Sequence, residues 1–348
     1  MIGATEPACL RLHVFRVNEG LGNACVLQFP DGSCGILDWG TKRKGPLEKA
    51  LDLIGYRLRF VAASHPHVDH VGGMELLLRE CRNRGIRVER FIYPATTLYD
   101  QERDFSKVLQ MVDQMKIESF HIGEDSFLAP PGKRGPPYLA WADDLSWDLR
   151  VLAPPVTVNS HAEIKGARER KVPGNETSLV VLFRFLPPPV SRGIGQALLT
   201  GDATKATLSH ALKTAQAHQY EFANQAFLVP HHGSEHNLPA WLRPYICGIA
   251  VISGAENSPH HPSKATLQQL SRWTGASTPR LYCTAYGIQC AKAFKRLATT
   301  AHGKTLVRPG DCFGDIVVKV PKDGEAFVES ASADGEPRRQ FGYCGNPD

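Results

Sequence analysis

Three histidines and an aspartate stand within six positions in the stretch Ser64-His65-Pro66-His67-Val68-Asp69-His70-Val71-Gly72-Gly73-Met74. Neutral imidazole is the commonest metal ligand among side chains. The interleaved His-x-His-x-Asp-His offers enough donors for two ions, with His65 and His67 for one and Asp69 and His70 for the other. A solvated loop that happens to be rich in histidine is the plain alternative, but four ligand-type residues at this spacing seldom coincide. Before the run, Phe60-Val61-Ala62-Ala63 reads as a short buried strand. After it, Met74 to Arg84 reads as an amphipathic helix with Leu76, Leu77 and Cys81 at helical spacing. The histidines therefore occupy a strand-to-helix loop, where backbone turns can aim several side chains at one point.

Further polar residues arrive at the ends of apolar runs. Ala197-Leu198-Leu199-Thr200-Gly201-Asp202 is a strand ending in Gly-Asp, followed by a helix from Ala203 to about Ala217. A carboxylate has two oxygens and can bridge two cations. The competing reading of Asp202 is a helix N-cap. Phe227-Leu228-Val229-Pro230-His231-His232-Gly233-Ser234 delivers two histidines in the same way. Ile249 to Gly254 is another strand, followed by Asn257, His260-His261-Pro262-Ser263 and a helix from Ser263. His261 there is a cap, a surface residue or a member of a site. Asn175-Glu176-Thr177-Ser178 precedes the buried strand Leu179 to Phe183, and Asp38-Trp39-Gly40 ends an earlier one. An aspartate beside glycine at a strand end reads as a turn residue or as a support to the histidine loop.

The elements that must position these residues follow from period and punctuation. Leu10 to Val17 and Ala24 to Phe29 read as strands, and Pro30-Asp31-Gly32 turns into Cys34 to Leu37. Pro46 to Ile54 and Phe105 to Met115 have the apolar faces of helices, while Val88 to Tyr93 and Trp147 to Leu152 read as strands. Ala129 to Pro137 is a Pro- and Gly-rich loop. Residues 158–174 form a polar insertion carrying Lys165, Arg168, Arg170 and Lys171, either a solvated loop or a basic flap over a phosphate backbone. Arg79, Arg82, Arg84, Arg87 and Arg90 make a second basic group, for which a solvated helix face is the plain reading. The chain is read as one domain, 1–320, with a polar tail at 321–348.

Composition sets outer bounds. The 348 residues can bury a sizeable core. A balance of 40 Lys+Arg against 35 Asp+Glu gives +5, compatible with an anionic partner. The 9 cysteines are scattered, odd in number and never in Cys-x-x-Cys, which suits reduced thiols in a cytoplasmic protein. No apolar run has the length of a membrane span, and no signal-peptide pattern opens the sequence.

His65-x-His67-x-Asp69-His70 resembles the signature of the metallo-β-lactamase fold superfamily of hydrolases. Taken with Asn175-x-x-Ser178-Leu179-Val180, Leu199-Thr200-Gly201-Asp202, Val229-Pro230-His231-His232-Gly233-Ser234 and Ile252-Ser253…Asn257…His261-Pro262, it resembles the soluble metallo-β-lactamase-like domain of the ComEC family of DNA-uptake channel proteins. The resemblance covers about residues 10–320. It implies an α/β fold, a four-layer αβ/βα sandwich, with two divalent ions, Zn or Mn, at one edge of the packed sheets. By resemblance Asp202 is the bridging carboxylate, His232 the last metal-ligating histidine and His231 the second choice. Many members place a third histidine for the first ion near Asn175 or Ser178, and this chain has none there.

The expected activity is that of a metal-dependent hydrolase, a phosphodiesterase or nuclease acting on DNA. Asp69, His231 and His261 are the expected catalytic residues, with His261 or His231 protonating the leaving oxygen. Substrate contacts are expected from Asn175, Ser178, Asn257, Lys165, Arg168, Arg170 and Lys171, and a separate protein partner is expected in place of a channel. The rival expectations are a hydrolase of a small ester, thioester or cyclic nucleotide, and a non-catalytic nucleic-acid-binding scaffold.

Overall fold

The computed structural model describes residues 8–17, 22–94, 103–122, 138–143, 146–154, 174–187, 193–254, 258, 260–273, 280–285, 314–331 and 337–338. In chain order the first half carries β1 (Cys9–Val14), β2 (Ala24–Gln28), β3 (Cys34–Trp39), α1 (Lys44–Ile54), β4 (Arg57–Ala62), α2 (Val68–Val71), α3 (Met74–Asn83), β5 (Arg87–Val88), β6 (Arg90–Pro94), α4 (Arg103–Gln114) and β7 (Glu118–Ile122). The second carries β8 (Tyr138–Asp143), β9 (Trp147–Ala153), β10 (Val180–Phe185), β11 (Gln196–Leu199), α5 (Lys205–Ala217), β12 (Asn224–Leu228), β13 (Ile246–Ile252), α6 (Lys264–Trp273) and β14 (Arg280–Cys283). β15 (Ile316–Pro321), β16 (Phe327–Ala331) and β17 (Pro337–Arg338) return to the first sheet.

Both sheets follow one plan. The first has the order β17-β16-β15-β1-β2-β3-β4-β6-β7, with β5 also paired to β4. It is antiparallel through β1, β2 and β3, where short turns suffice, and parallel through β3, β4, β6 and β7, where helices make the crossovers. The second has the order β14-β13-β12-β11-β10-β9-β8, antiparallel from β8 to β11 and parallel from β11 to β14.

Alternation along the strands sorts the side chains into layers. Leu10, Leu12 and Val14 of β1 and Leu37 of β3 face the second sheet, meeting Leu149, Val181, Phe183 and Leu199. Phe29 stacks on Trp147 at 4.3 Å in this seam. Ile36 and Val61 face the other way, onto Leu47 and Leu51 of α1, Leu77 and Cys81 of α3, and Val108 of α4. On the far side Leu182, Leu198 and Phe227 pack against Leu208 and Ala211 of α5 and Leu267 and Leu270 of α6. The result is helices, sheet, sheet, helices: the expected four-layer αβ/βα sandwich.

Several expectations change. Within the stretch read as a polar tail, residues 327–331 continue the first sheet, because β16 pairs with β15 from Ile316↔Ser330 to Lys319↔Phe327. β8, within a stretch given no strand from sequence, pairs with β9 along the edge of the second sheet. Three of the second basic group stand against acids: Arg84 contacts Glu48 and Arg90 lies 3.6 Å from Glu118, both remote in sequence, while Arg79 pairs at 2.8 Å with Glu75 one helical turn away. Loop 129–137 and residues 158–173 lie outside the described residues. No helix among the described residues is long and apolar enough to cross a membrane.

Candidate metal centre

In open α/β sheets, polar loops gather where parallel strands end at their carboxyl side. Here β3, β4, β11, β12 and β13 all end at one edge, and each contributes. β4 runs into the histidine loop, held between the sheets by Ala63 N–H donating to the Ile92 carbonyl and Leu179 N–H donating to the Ser64 carbonyl, each at 2.9 Å. The loop then closes into the single turn of α2, whose N-cap is His67. Its backbone is seated by a close approach: Asn23 N–H donates to the Asp69 carbonyl at 2.9 Å, and a Cβ placed on Gly40 would lie 1.8 Å from that same oxygen.

β3 supplies Asp38, fully buried and with φ of 62°, a left-handed conformation uncommon outside glycine. Its carboxylate accepts Ser64 N–H at 2.6 Å, the Ser64 hydroxyl at 2.8 Å and His70 Nδ1–H at 2.8 Å. Of its two sequence readings, support to the histidine loop is the one this geometry bears out. Because the Ser64 hydroxyl donates to Asp38, it accepts from His65 Nδ1 at 3.1 Å. On the opposite wall, His232 Nδ1–H donates to the Ser253 carbonyl at 2.9 Å, and Ser253 Oγ donates to Gly22 O at 2.6 Å. Three imidazoles thus use Nδ1 inside the protein and turn a bare Nε2 inward, the arrangement by which outer partners fix a ligand's tautomer.

Those Nε2 atoms meet Asp202. It stands 1% exposed after β11 and does not cap α5, whose N-cap is Thr204, accepting from Thr207 N–H. Oδ1 lies 3.0 Å from His70 Nε2 and 3.7 Å from His232 Nε2. Oδ2 lies 3.8 Å from His65 Nε2 and 3.5 Å from His231 Nε2. Asp69 Oδ2 approaches His232 Nε2 at 3.3 Å. Two sets of donor atoms, each within 4.8 Å of one another, result: Asp69, His70, Asp202 and His232, and His65, His67 and Asp69. Asp69, expected to serve one ion, belongs to both.

Nε2 of His65, His70 and His232 and Oδ1 of Asp202 are buried and make no hydrogen bond. Buried polar atoms are ordinarily satisfied, so four orphans converging on one point fit a cation. The electrostatics agree. Burial disfavours a charged His70, but Asp202 and Asp38 outweigh it and raise its pKa well above the ordinary value. Burial and then His70 hold His65 well below its own. Burial would raise Asp69 and Asp202, yet the surrounding imidazoles keep both below the usual carboxylate range. Three carboxylates in so small a volume call for positive charge, which a metal supplies as well as a proton does.

The other expected residues fall around this centre. Val229 leads into Pro230–Gly233, where His231 and His232 take left-handed φ of 51° and 50°. Strained backbone of this kind persists where the surroundings over-determine it. The turn sends His232 inward and leaves His231 a quarter exposed at the rim, its Nδ1 3.4 Å from Asn175 Nδ2. Ser178 is buried below, where a Cβ on Gly201 would lie 3.7 Å from its own. His261 stacks on His231 at 5.2 Å and is not the cap of α6, a part taken by Ser263 Oγ accepting Thr266 N–H. Burial, then His231 and His232, push the His261 imidazole down to about 4. Asn257, Lys165, Arg168, Arg170 and Lys171 lie outside the described residues. Sequence reasoning missed Asn23, Ser253 and Asn237, whose Nδ2 donates to the carbonyls of Asp202 and Ala203. Ser253 at a strand end carried the only signal.

The fold is that of the metallo-β-lactamases. A family profile described as Metallo-beta-lactamase superfamily matches residues 17–155, from the approach to β2 to just beyond β9, the histidine loop included. Among solved structures, the chain is similar to the metallo-beta-lactamase fold protein YhfI from Bacillus subtilis (8% identity, TM-score 0.43, 78% of this chain and 96% of that one). It is similar also to the short form of human tRNase Z (12%, 0.40, 80% and 93%) and to a diphosphatase from the PhnP family (11%, 0.38, 79% and 85%). No curated protein matches it.

Proposed function

We propose that the chain is a metal-dependent hydrolase that cleaves phosphodiesters, with DNA as its substrate. The observation that carries this reading is the convergence of buried, unpartnered donors from His65, His70, His232 and Asp202 on one strand-end edge. His65, His67 and Asp69 would hold one divalent ion, Zn or Mn, and Asp69, His70 and His232 the other. Asp202 turns one oxygen toward each side. Zinc suits the imidazoles, and the share of carboxylate keeps manganese a fitting alternative. When bound, such a pair supplies an activated water and neutralises charge developing on a phosphoryl group.

The chain's own residues do the rest. Asp38, directly on His70 and through Ser64 on His65, fixes which nitrogen those two imidazoles present, and the Ser253 carbonyl does the same for His232. His231 and His261 stand together at the rim, where a leaving oxygen would need a proton. Asn175 and Ser178 border the floor on that side. The DNA reading is supported by the order of motifs, by the net charge of +5 and by the basic insertion that ends just before Asn175.

The test is metal analysis of the purified protein together with cleavage of single-stranded, double-stranded and circular DNA in Mn²⁺ or Zn²⁺. Stoichiometric divalent metal and cleavage of at least one DNA form are expected. A metal-free protein, or a metal-loaded one that cleaves a thioester or small ester and no phosphodiester, overturns the reading.

A further inference from the structure

Outside the donor cluster, on the solvent side of His231, a cavity of about 470 Å³ opens between the Pro230–Gly233 turn and the start of α6. We propose that this cavity is a subsite for a second phosphate of the substrate, one linked to the phosphodiester being cut. The inference rests on the hydrolase reading above and names what that site would select: a substrate carrying two phosphates in tandem.

Position comes first. His231 belongs to both spaces, lining the cavity while its Nε2 sits 3.5 Å from Asp202 Oδ2. A group bound in the cavity is therefore separated from the donor cluster by one imidazole, the spacing of a neighbour on the same molecule. Charge comes second. Lys264 lines the cavity, is half-buried and has no ion-pair or hydrogen-bond partner among the described residues. Lysines 42, 49 and 107 all reach a carboxylate, by contrast. A half-buried ammonium with no counter-charge gives up hydration without return unless an anion arrives. Among the described residues the one carboxylate on the wall, Glu235, is exposed, lies 3.3 Å from His236 Nε2 and makes no ion pair with Lys264.

Hydrogen bonding comes third. His260 and His261 line the same wall, and Nδ1 of His261 is buried with no partner. One ammonium and adjacent imidazole N–H groups are donors suited to phosphate oxygens. Ser234 adds a hydroxyl of either polarity, while that of Ser263 is spent on Thr266. Among the described residues no aliphatic side chain larger than the lysine stem lines the space, so an acyl chain finds little surface there.

The test measures binding and does not depend on turnover. Three thymidine dinucleotide analogues are used, with the cleavable bridging oxygen replaced by methylene: one without a terminal phosphate, one with a 5′-phosphate and one with a 3′-phosphate. Calorimetry on the metal-loaded protein is expected to show one terminal phosphate tightening Kd by about tenfold or more, the scale of a charge-assisted contact. That gain should vanish in Lys264→Gln, persist in Lys264→Arg and shrink in His260→Asn, all with wild-type thermal melts. Equal affinity of wild type for the three analogues, or a gain that survives Lys264→Gln, overturns the subsite. So does free phosphate that binds beside the unphosphorylated analogue as tightly as the linked group does, since that would be an ion site. The analogues are not cleaved, so loss of the hydrolase reading and loss of the subsite register in different experiments.

Discussion

At the scale of single residues, the centre is governed by where protons sit on imidazoles. His70 and His232 spend Nδ1–H on Asp38 and on the Ser253 carbonyl, which leaves Nε2 as the atom turned toward the centre. Asp38→Ala should therefore weaken divalent-metal affinity by about 10–100-fold, the usual cost of losing an outer partner of a ligand. Competition with a chelating dye checks it, and unchanged affinity would remove Asp38 from the centre. Asp69 is different, because it donates directly and its side chain is a quarter exposed on a loop. Asp69→Ala should lose metal and abolish hydrolysis while the circular dichroism stays that of wild type. His261 is different again. Its stacking on His231 places it beside the donors and not among them. His261→Ala should retain metal and lose turnover by roughly 10²–10⁴-fold, the range of general acid catalysis. With its pKa lowered to about 4, His261 is neutral at pH 7 in the free protein. It can deliver a proton only once an anionic substrate has raised that value. A His261→Ala protein that loses an ion would move this residue among the ligands.

At the scale of elements, the strand ends were readable and their neighbours were not. Apolar runs closing in Asp202 and in His231-His232 announce themselves, because period and punctuation are local. What Asp38 does was left open, since Asp-Trp-Gly reads equally as a turn. Only the parallel pairing Leu37↔Ala62 brings its carboxylate against Ser64 and His70. β16 was missed for the same reason: a short strand is decided by the partner it finds, here β15, more than by propensity. The paired arginines lose their apparent surface charge to Glu48 and Glu118, which sequence distance hides. The glycines give a sharp test of the loop's seating. Gly40→Ala drives a Cβ to 1.8 Å from the Asp69 carbonyl. It should cost about 1–3 kcal/mol, as overpacking does, and weaken metal binding with it. Gly45, inside α1 with nothing but its chain neighbours within 4 Å of a built Cβ, is the control. Gly45→Ala should change stability little, because the helix propensity of alanine is offset by the clash of a Cβ with the ring of Pro46 that follows. Urea titration of both separates contact from conformational freedom, and equal effects would deny that the loop is seated on Gly40.

At the scale of the whole molecule, the question is where net positive charge can meet a polyanion. Arg57, Arg59, Arg79, Arg84 and Arg90 are within reach of carboxylates, which leaves Lys44, Arg82, Arg87 and Lys116 among the exposed cations of the first sheet and its helices with no ion pair among the described residues. The described residues that flank the basic insertion, which carries Lys165, Arg168, Arg170 and Lys171, belong to the second sheet and to the rim of the centre. Before it in sequence, Ala153 at the end of β9 pairs with Val180; after it comes the 3-10 turn Gly174–Thr177, whose Asn175 meets His231. If these four cations contact a DNA backbone, binding releases counterions, and affinity falls steeply with salt, by a slope of about 0.9 per neutralised phosphate on duplex DNA. Replacing all four by Ser should weaken DNA binding and flatten the plot of log affinity against log salt by two to four such increments, that is by roughly 2–4 in slope. A small chromogenic phosphodiester reaches no backbone contact, and its cleavage should be unaffected by the same change. Anisotropy titrations from low to moderate salt give the slope directly. A four-Ser variant with the wild-type slope would make the insertion a solvated loop and leave the second-phosphate cavity and the centre to hold the substrate alone.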